Sequence, residues 1–306
     1  MRITLVTLAA VWGAATGLLI PRAAYRLSVE PEEEWRDACP AGHPFPGTGP
    51  TRGWLGPARC PACASGTAAT ADATSTADAT SATGAGGTAS TTSTTGTTST
   101  AGTTSTAGTT STAGTTSTAG GASAPTAAPY APQVLLPVVT ALACALLAAA
   151  TGTRPELAVW LLLAPVAVLL AAVDHRVHRL PDQLTLPLAG AAVVLLGAAA
   201  LLPEHVGSWT GALLGGAVLG CFYLVLYLIN PNGMGFGDVK LALSLGVVLG
   251  WYGWPVLVAG GFAGFLFGAA YGLGLLVLRR AHRRTGIPFG PFMIAGALTG
   301  VLLGAL

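Results

Sequence analysis

Residues 156–173 read ELAVWLLLAPVAVLLAAV, and they run directly into Asp174-His175-Arg176-Val177-His178-Arg179-Leu180-Pro181-Asp182. After Glu156, the first part is an unbroken apolar stretch close to the roughly 20 residues that cross a bilayer. The second part is a charged segment at its end. The same grammar recurs along the chain. Apolar runs at about 133–152, 156–173, 184–202, 208–229, 239–254, 255–278 and 287–306 predict seven spans, and Ile3 to Ile20 predicts another. The expectation is an all-α polytopic membrane protein of about eight transmembrane helices. Trp251-Tyr252-Gly253-Trp254-Pro255 reads as a tight turn between two of them. The runs are continuous rather than alternating, which argues against a transmembrane barrel.

Composition supports lipid as the main solvent. Of 306 residues, 52% are hydrophobic and 8% charged, against about 25% charged in soluble domains. No basic tract of the kind that binds nucleic acid is present. The glycine-rich stretches lie in apolar context, not in a strand–turn–helix unit that would cradle a soluble cofactor.

The sequence divides into four parts: a first helix (1–20), a polar loop (21–63), a low-complexity linker (64–132) and a seven-helix core (133–306). The first run has a single Arg2 before it and ends in Pro21-Arg22, which favours a retained span over a cleaved signal. The linker is almost wholly Thr, Ser, Ala and Gly, with the unit AGTTST repeated over 101–118. It lacks the large apolar residues that offset ordering entropy and reads as disordered. A glycosylated stalk is the rival reading and requires an extracellular location. With the N-terminus outside, twelve of the fourteen Lys and Arg fall on the cytoplasmic side and only Arg2 and Arg154 outside. That orientation makes the loop and linker cytoplasmic.

Acidic residues are scarce beyond the linker: Glu156, Asp174, Asp182, Glu204 and Asp238. Asp174 closes one span and Asp238 opens another, with two spans between them, so both lie at one membrane face. Intramembrane carboxyls are costly and point to function. Two close carboxyls share a proton, so one can activate a water while the other polarises a carbonyl. This is aspartic-protease chemistry and needs no metal. Gly233, Gly235 and Gly237 before Asp238 allow backbone conformations and close approaches closed to other residues. Pro181 breaks the helix after Asp174, and Asp182 is placed to cap the next one. His175 and His178 beside Asp174 read as a cationic loop rather than metal ligands. Partial charges at helix ends assign the shared proton more often to Asp174, at a C-terminus, than to Asp238, at an N-terminus. Cys144 and Cys221 lie within apolar runs and read as packing residues.

These segments together resemble the type IV prepilin peptidase family. Asp174 with its basic loop and Leu180-Pro181-Asp182-Gln183-Leu184-Thr185 is similar to one half of that signature. Gly235-Phe236-Gly237-Asp238-Val239-Lys240 is similar to the other. Ile287-Pro288-Phe289-Gly290-Pro291-Phe292 resembles the motif of the family's last helix. The resemblance covers 133–306 and, more loosely, the first span. It implies an endopeptidase that removes the short basic leader of prepilins or pseudopilins at the cytoplasmic face of the inner membrane. Asp174 and Asp238 would be catalytic, with Gly235, Gly237, Lys240, Pro181 and Asp182 as neighbours. It also implies, for many bacterial members, methylation of the new N-terminus with S-adenosylmethionine.

The chain departs from the family in its first loop, where two Cys-x-x-Cys pairs are usual. Cys60-Pro61-Ala62-Cys63 is intact, but the other pair is reduced to Cys39, with His43 four residues on. Three thiolates and an imidazole still suit a tetrahedral zinc ion. Two competing readings use the same residues: a transporter or channel with Asp174 and Asp238 as an ion or proton site, and a non-catalytic assembly scaffold.

Overall fold

The structure, a computed structural model, describes residues 1–29, 33–45, 53–64, 134–231, 233–278 and 288–306. The linker beyond Ala64, together with Arg52 and the arginines at 279, 280, 283 and 284 used in the charge count, lies outside the described residues. Helices make up the fold. They are α1 (Arg2–Leu27), α2 (Pro61–Ala64), α3 (Leu135–Thr151), α4 (Glu156–Val177), α5 (Asp182–Ala199), α6 (Trp209–Ile229), α7 (Phe236–Gly250), α8 (Trp254–Val277) and α9 (Gly290–Ala305). Five of them, α1, α4, α5, α6 and α8, are long and apolar enough to cross a membrane. Helices α3 and α9 are shorter and apolar, and α7 is a further short helix between α6 and α8. At 15 residues, α7 is ~22 Å long, less than the ~30 Å hydrocarbon layer. The chain is a multi-pass membrane protein.

The long helices are built on apolar runs, and local breakers set several of their ends. His178 takes a left-handed conformation (φ 52°) and its N–H closes α4 on the Asp174 carbonyl at 2.8 Å. Gly253 (φ 100°) is the N-cap of α8, which starts at Trp254 inside the expected aromatic turn, with Pro255 in its first turn. Ser208 caps α6 by accepting the Gly211 N–H at 3.2 Å.

Small residues bring the helices together. A Cβ on Gly215 would lie 2.5 Å from the Gly246 carbonyl, and one on Gly246 would lie 2.5 Å from the Gly215 carbonyl, so α6 and α7 touch backbone to backbone. Membrane helices use such seams because lipid supplies no hydrophobic drive between them. The main core is built on Trp160, Leu170, Leu196, Leu241, Leu249 and Trp251, all buried.

Two expectations need correction. The first helix does not stop at Ile20 but continues through Pro21 to Leu27. Proline removes a helix hydrogen bond, and here the loop supplies partners: the Gly56 N–H donates to Leu19 O (3.0 Å) and the Arg22 N–H donates to Gly56 O (3.1 Å). Buried Arg22 and its neighbour Arg26 then lie against Phe45, and Arg26 lies 4.3 Å from the Trp54 ring centroid. Of the two apolar-run cysteines, Cys144 is buried as expected, but Cys221 is exposed on α6.

Candidate functional site

Two buried carboxyls define the site. Asp174 stands three residues before the end of α4 and is 4% exposed. Asp238 is the third residue of α7 and is 7% exposed. Both line one cavity of about 340 Å³, with His178, Arg179, Asp182, Lys240 and Phe289 also in its wall. Their meeting follows from topology: α5 and α6 run out and back between α4 and α7, returning the chain to the same end.

The start of α9 completes the arrangement. A helix N-terminus carries orphan N–H donors, and the Gly290 N–H donates to Asp174 Oδ2 at 2.9 Å. The close approach requires glycine, since a Cβ on Gly290 would lie 2.8 Å from that same oxygen. This is a donor that the helix-end argument about the shared proton did not count. Below the site, Phe289 continues an aromatic floor: its ring lies 5.3 Å from Phe265, which stacks on Tyr223 at 5.5 Å.

The glycines before Asp238 have distinct surroundings. Gly235 is the N-cap of α7, and a Cβ there would be 3.6 Å from Asp238 Oδ2. Gly237 faces the α4–α5 turn so closely that a Cβ would lie 2.9 Å from the Leu180 Cβ. Pro181, not Asp182, is the N-cap of α5 and makes no side-chain cap. Asp182 sits instead in the first turn and forms an ion pair with Lys240 at 2.6 Å, tying α5 to α7 beside Asp238. Lys240 also lies 4.8 Å from the Phe236 ring centroid. Sequence reasoning named Gly290 and Phe289 only as part of a motif and gave them no place in the site. Tyr223, whose ring lies 6.2 Å from that of Phe289 although it does not line the cavity, carries no local signal either.

A second cluster lies in the first loop. Cys39, His43, Cys60 and Cys63 each present one ligand atom, and these atoms all lie within 4.8 Å of one another. Cys39 Sγ is 3.6 Å from His43 Nδ1 and 3.6 Å from Cys63 Sγ, and His43 Nδ1 is 3.2 Å from Cys63 Sγ. Zinc bonds of about 2.3 Å to sulfur and about 2.0 Å to nitrogen imply tetrahedron edges of ~3.8 and ~3.6 Å, so the donor set fits such an ion. Backbone geometry preforms it: the Cys39 N–H donates to His43 O at 2.9 Å and the Gly42 N–H to Cys39 O at 2.9 Å. Burial, then the hydrogen bonds with Cys39 and Cys60, push the Cys63 thiol up to about 11. Neither Asp174 nor His175 nor His178 belongs to a metal-compatible group among the described residues.

The architecture is thus that of a polytopic helical membrane protein with a paired-carboxyl cavity at the ends of two helices. Comparison with known proteins places it further. Residues 161–273 match the Type IV leader peptidase family, a stretch that contains both aspartates and stops short of Phe289 and Gly290. Over that stretch the chain is similar to that family. A prepilin leader peptidase/N-methyltransferase of Aeromonas hydrophila is 39% identical over 188 residues, 60% of this chain and 61% of that protein. One from Aeromonas salmonicida (strain A449) is 40% identical over 147 residues, 47% and 48% of the two chains. One from Escherichia coli (strain K12) is 32% identical over 133 residues, 42% and 56%. The chain therefore spans about two-fifths to three-fifths of the length of the relatives it matches. No solved structure matches it.

Proposed function

We propose that this protein is an aspartic endopeptidase that removes the short basic leader of type IV prepilins or pseudopilins. The observation that carries the reading is the burial of Asp174 and Asp238 in one cavity, within the segment that matches the leader peptidase family. One carboxylate takes a proton from a water as that water attacks the scissile carbonyl. The protonated partner donates its hydrogen bond to the carbonyl oxygen. Collapse of the tetrahedral intermediate breaks the C–N bond and passes a proton to the leaving amine. Gly290 orients Asp174, and the glycine-rich turn around Gly235 and Gly237 lets an extended substrate lie close to Asp238. The charge asymmetry of Lys and Arg supports an inner-membrane orientation with the N-terminus outside and the site at the cytoplasmic face.

The loop cluster is proposed to hold a structural zinc through Cys39, His43, Cys60 and Cys63. Its chemistry there is to fix the loop that repairs the break at Pro21. Methyl transfer from S-adenosylmethionine to the new N-terminus, the second activity in the relatives' names, is proposed as a following step on the same product. Mass spectrometry of the cleaved pilin tests it: an added methyl group supports the step, and an unmodified amine refutes it. Co-expression with a prepilin tests the cleavage itself, since a mature pilin lacking its leader must accumulate only in the presence of this chain.

A further inference from the structure

Away from the carboxyl-lined cavity, two apolar cavities lie along α3, α4 and α9. The inner one is about 320 Å³ and the outer one about 310 Å³. Val139, Val168, Ala171 and Pro291 line both, so the two form one continuous groove. Its outer end is different in kind. His175 and Arg176 are the polar side chains lining the outer cavity, at the end of α4. Arg176 is partly buried and has no ion pair among the described residues. Arg36 lies near enough to add to the positive potential there.

A hydrocarbon groove at membrane depth that ends in cations fits an amphiphile with an apolar chain and an anionic head. Size selects among such occupants. A helix about 10 Å across fills ~800 Å³ in two turns, more than the two cavities hold together. A single extended acyl chain is thin enough to pass between the alanine-lined faces of Ala143, Ala167 and Ala171.

We propose that this groove is a binding site for an anionic phospholipid, with one acyl chain between α3, α4 and α9 and the phosphate at Arg176 and His175. The site abuts the carboxyl pair from behind. His175 and Arg176 directly follow Asp174, and Pro291 directly follows Gly290, whose N–H holds Asp174. Bound lipid therefore braces the α4 end and the α9 start that position that carboxyl. This consequence for activity rests on the peptidase reading; the binding itself does not.

The test is native mass spectrometry of the full chain in mild detergent, titrated with phosphatidylglycerol or phosphatidylcholine. The parent is expected to prefer phosphatidylglycerol by about fivefold, the effect of one basic residue near an anionic surface. Arg176→Gln should bring the two lipids to parity, and Arg176→Lys should keep the preference. Equal retention of both lipids by the parent, or an unchanged preference in Arg176→Gln, overturns the proposal. So does a photocrosslinker at Ala171 that captures the apolar segment of a prepilin in place of lipid. Cleavage assayed in vesicles of the same two compositions separates the two claims. Lipid preference without any cleavage leaves the site standing and refutes the peptidase reading, whereas cleavage without lipid preference does the reverse.

Discussion

Replacing Gly290 by alanine tests how the last helix serves the site. The Gly290 N–H donates to Asp174 Oδ2 at 2.9 Å, and an added Cβ would lie 2.8 Å from that oxygen and 3.1 Å from the carboxyl carbon. Real Cβ atoms do not sit so close, so one partner must move. The carboxyl is the end of a flexible side chain, whereas the α9 backbone is fixed by its packing on α8. Asp174 should therefore swing away and lose its backbone donor. A hydrogen bond to a charged group contributes about 1.5–3 kcal/mol, which corresponds to a roughly 10- to 150-fold loss in cleavage rate. Global stability should change little, since alanine is the better helix former. Gly296→Ala gives the contrast. Its Cβ would meet backbone, lying 2.6 Å from the Gly260 carbonyl, so it should reduce the yield of folded protein while the folded fraction cleaves normally. The assay is single-turnover cleavage of a prepilin in proteoliposomes, alongside thermal unfolding. Full activity in Gly290→Ala, or a loss of activity matched by an equal loss of folded protein, would refute the reasoning.

Other perturbations follow from the same geometry. Cys60→Ser should lower bound zinc from about one ion per chain towards none, since structural sites use four ligands; elemental analysis of the purified chain checks this, and undiminished zinc contradicts the assigned ligand set. Gly56→Ala places a Cβ 2.9 Å from Arg22 Cζ at φ +142°, so it should undock the loop from α1 and speed proteolysis within residues 33–64; an unchanged digestion pattern counts against the docking role. Lys240→Gln removes an ion pair whose Asp182 side chain is 60% exposed, so unfolding should shift by no more than about 1 kcal/mol. Cleavage should fall by more than that loss explains, and parallel losses would place the pair outside the site.

The helices were legible because lipid demands continuous apolar runs, and Ile3–Ile20 or Leu157–Val173 carry that demand locally. The aspartate pair was legible too, because charges are so rare here that Asp174 and Asp238 stand out at matching span ends. What escaped were contacts made across the fold. The continuation of α1 beyond Pro21 depends on Gly56, whose N–H and carbonyl substitute for the interrupted helix bonds. The hold on Asp174 comes from Gly290, 116 residues away. Asp182 read as a cap from its position after Pro181, yet Lys240 draws it into an ion pair that no local pattern encodes. Local periodicity reports what a segment buries, and these residues are defined by what another segment brings to them.

The central claim is that Asp174 and Asp238 perform peptide hydrolysis together. It is tested most directly by cleavage of a co-expressed prepilin by the parent, by Asp174→Asn and by Asp238→Asn, with membrane insertion and folding checked for each. Asparagine keeps size and polarity but cannot exchange the proton. The account predicts leader removal by the parent and none by either folded variant; full activity in either one would contradict it.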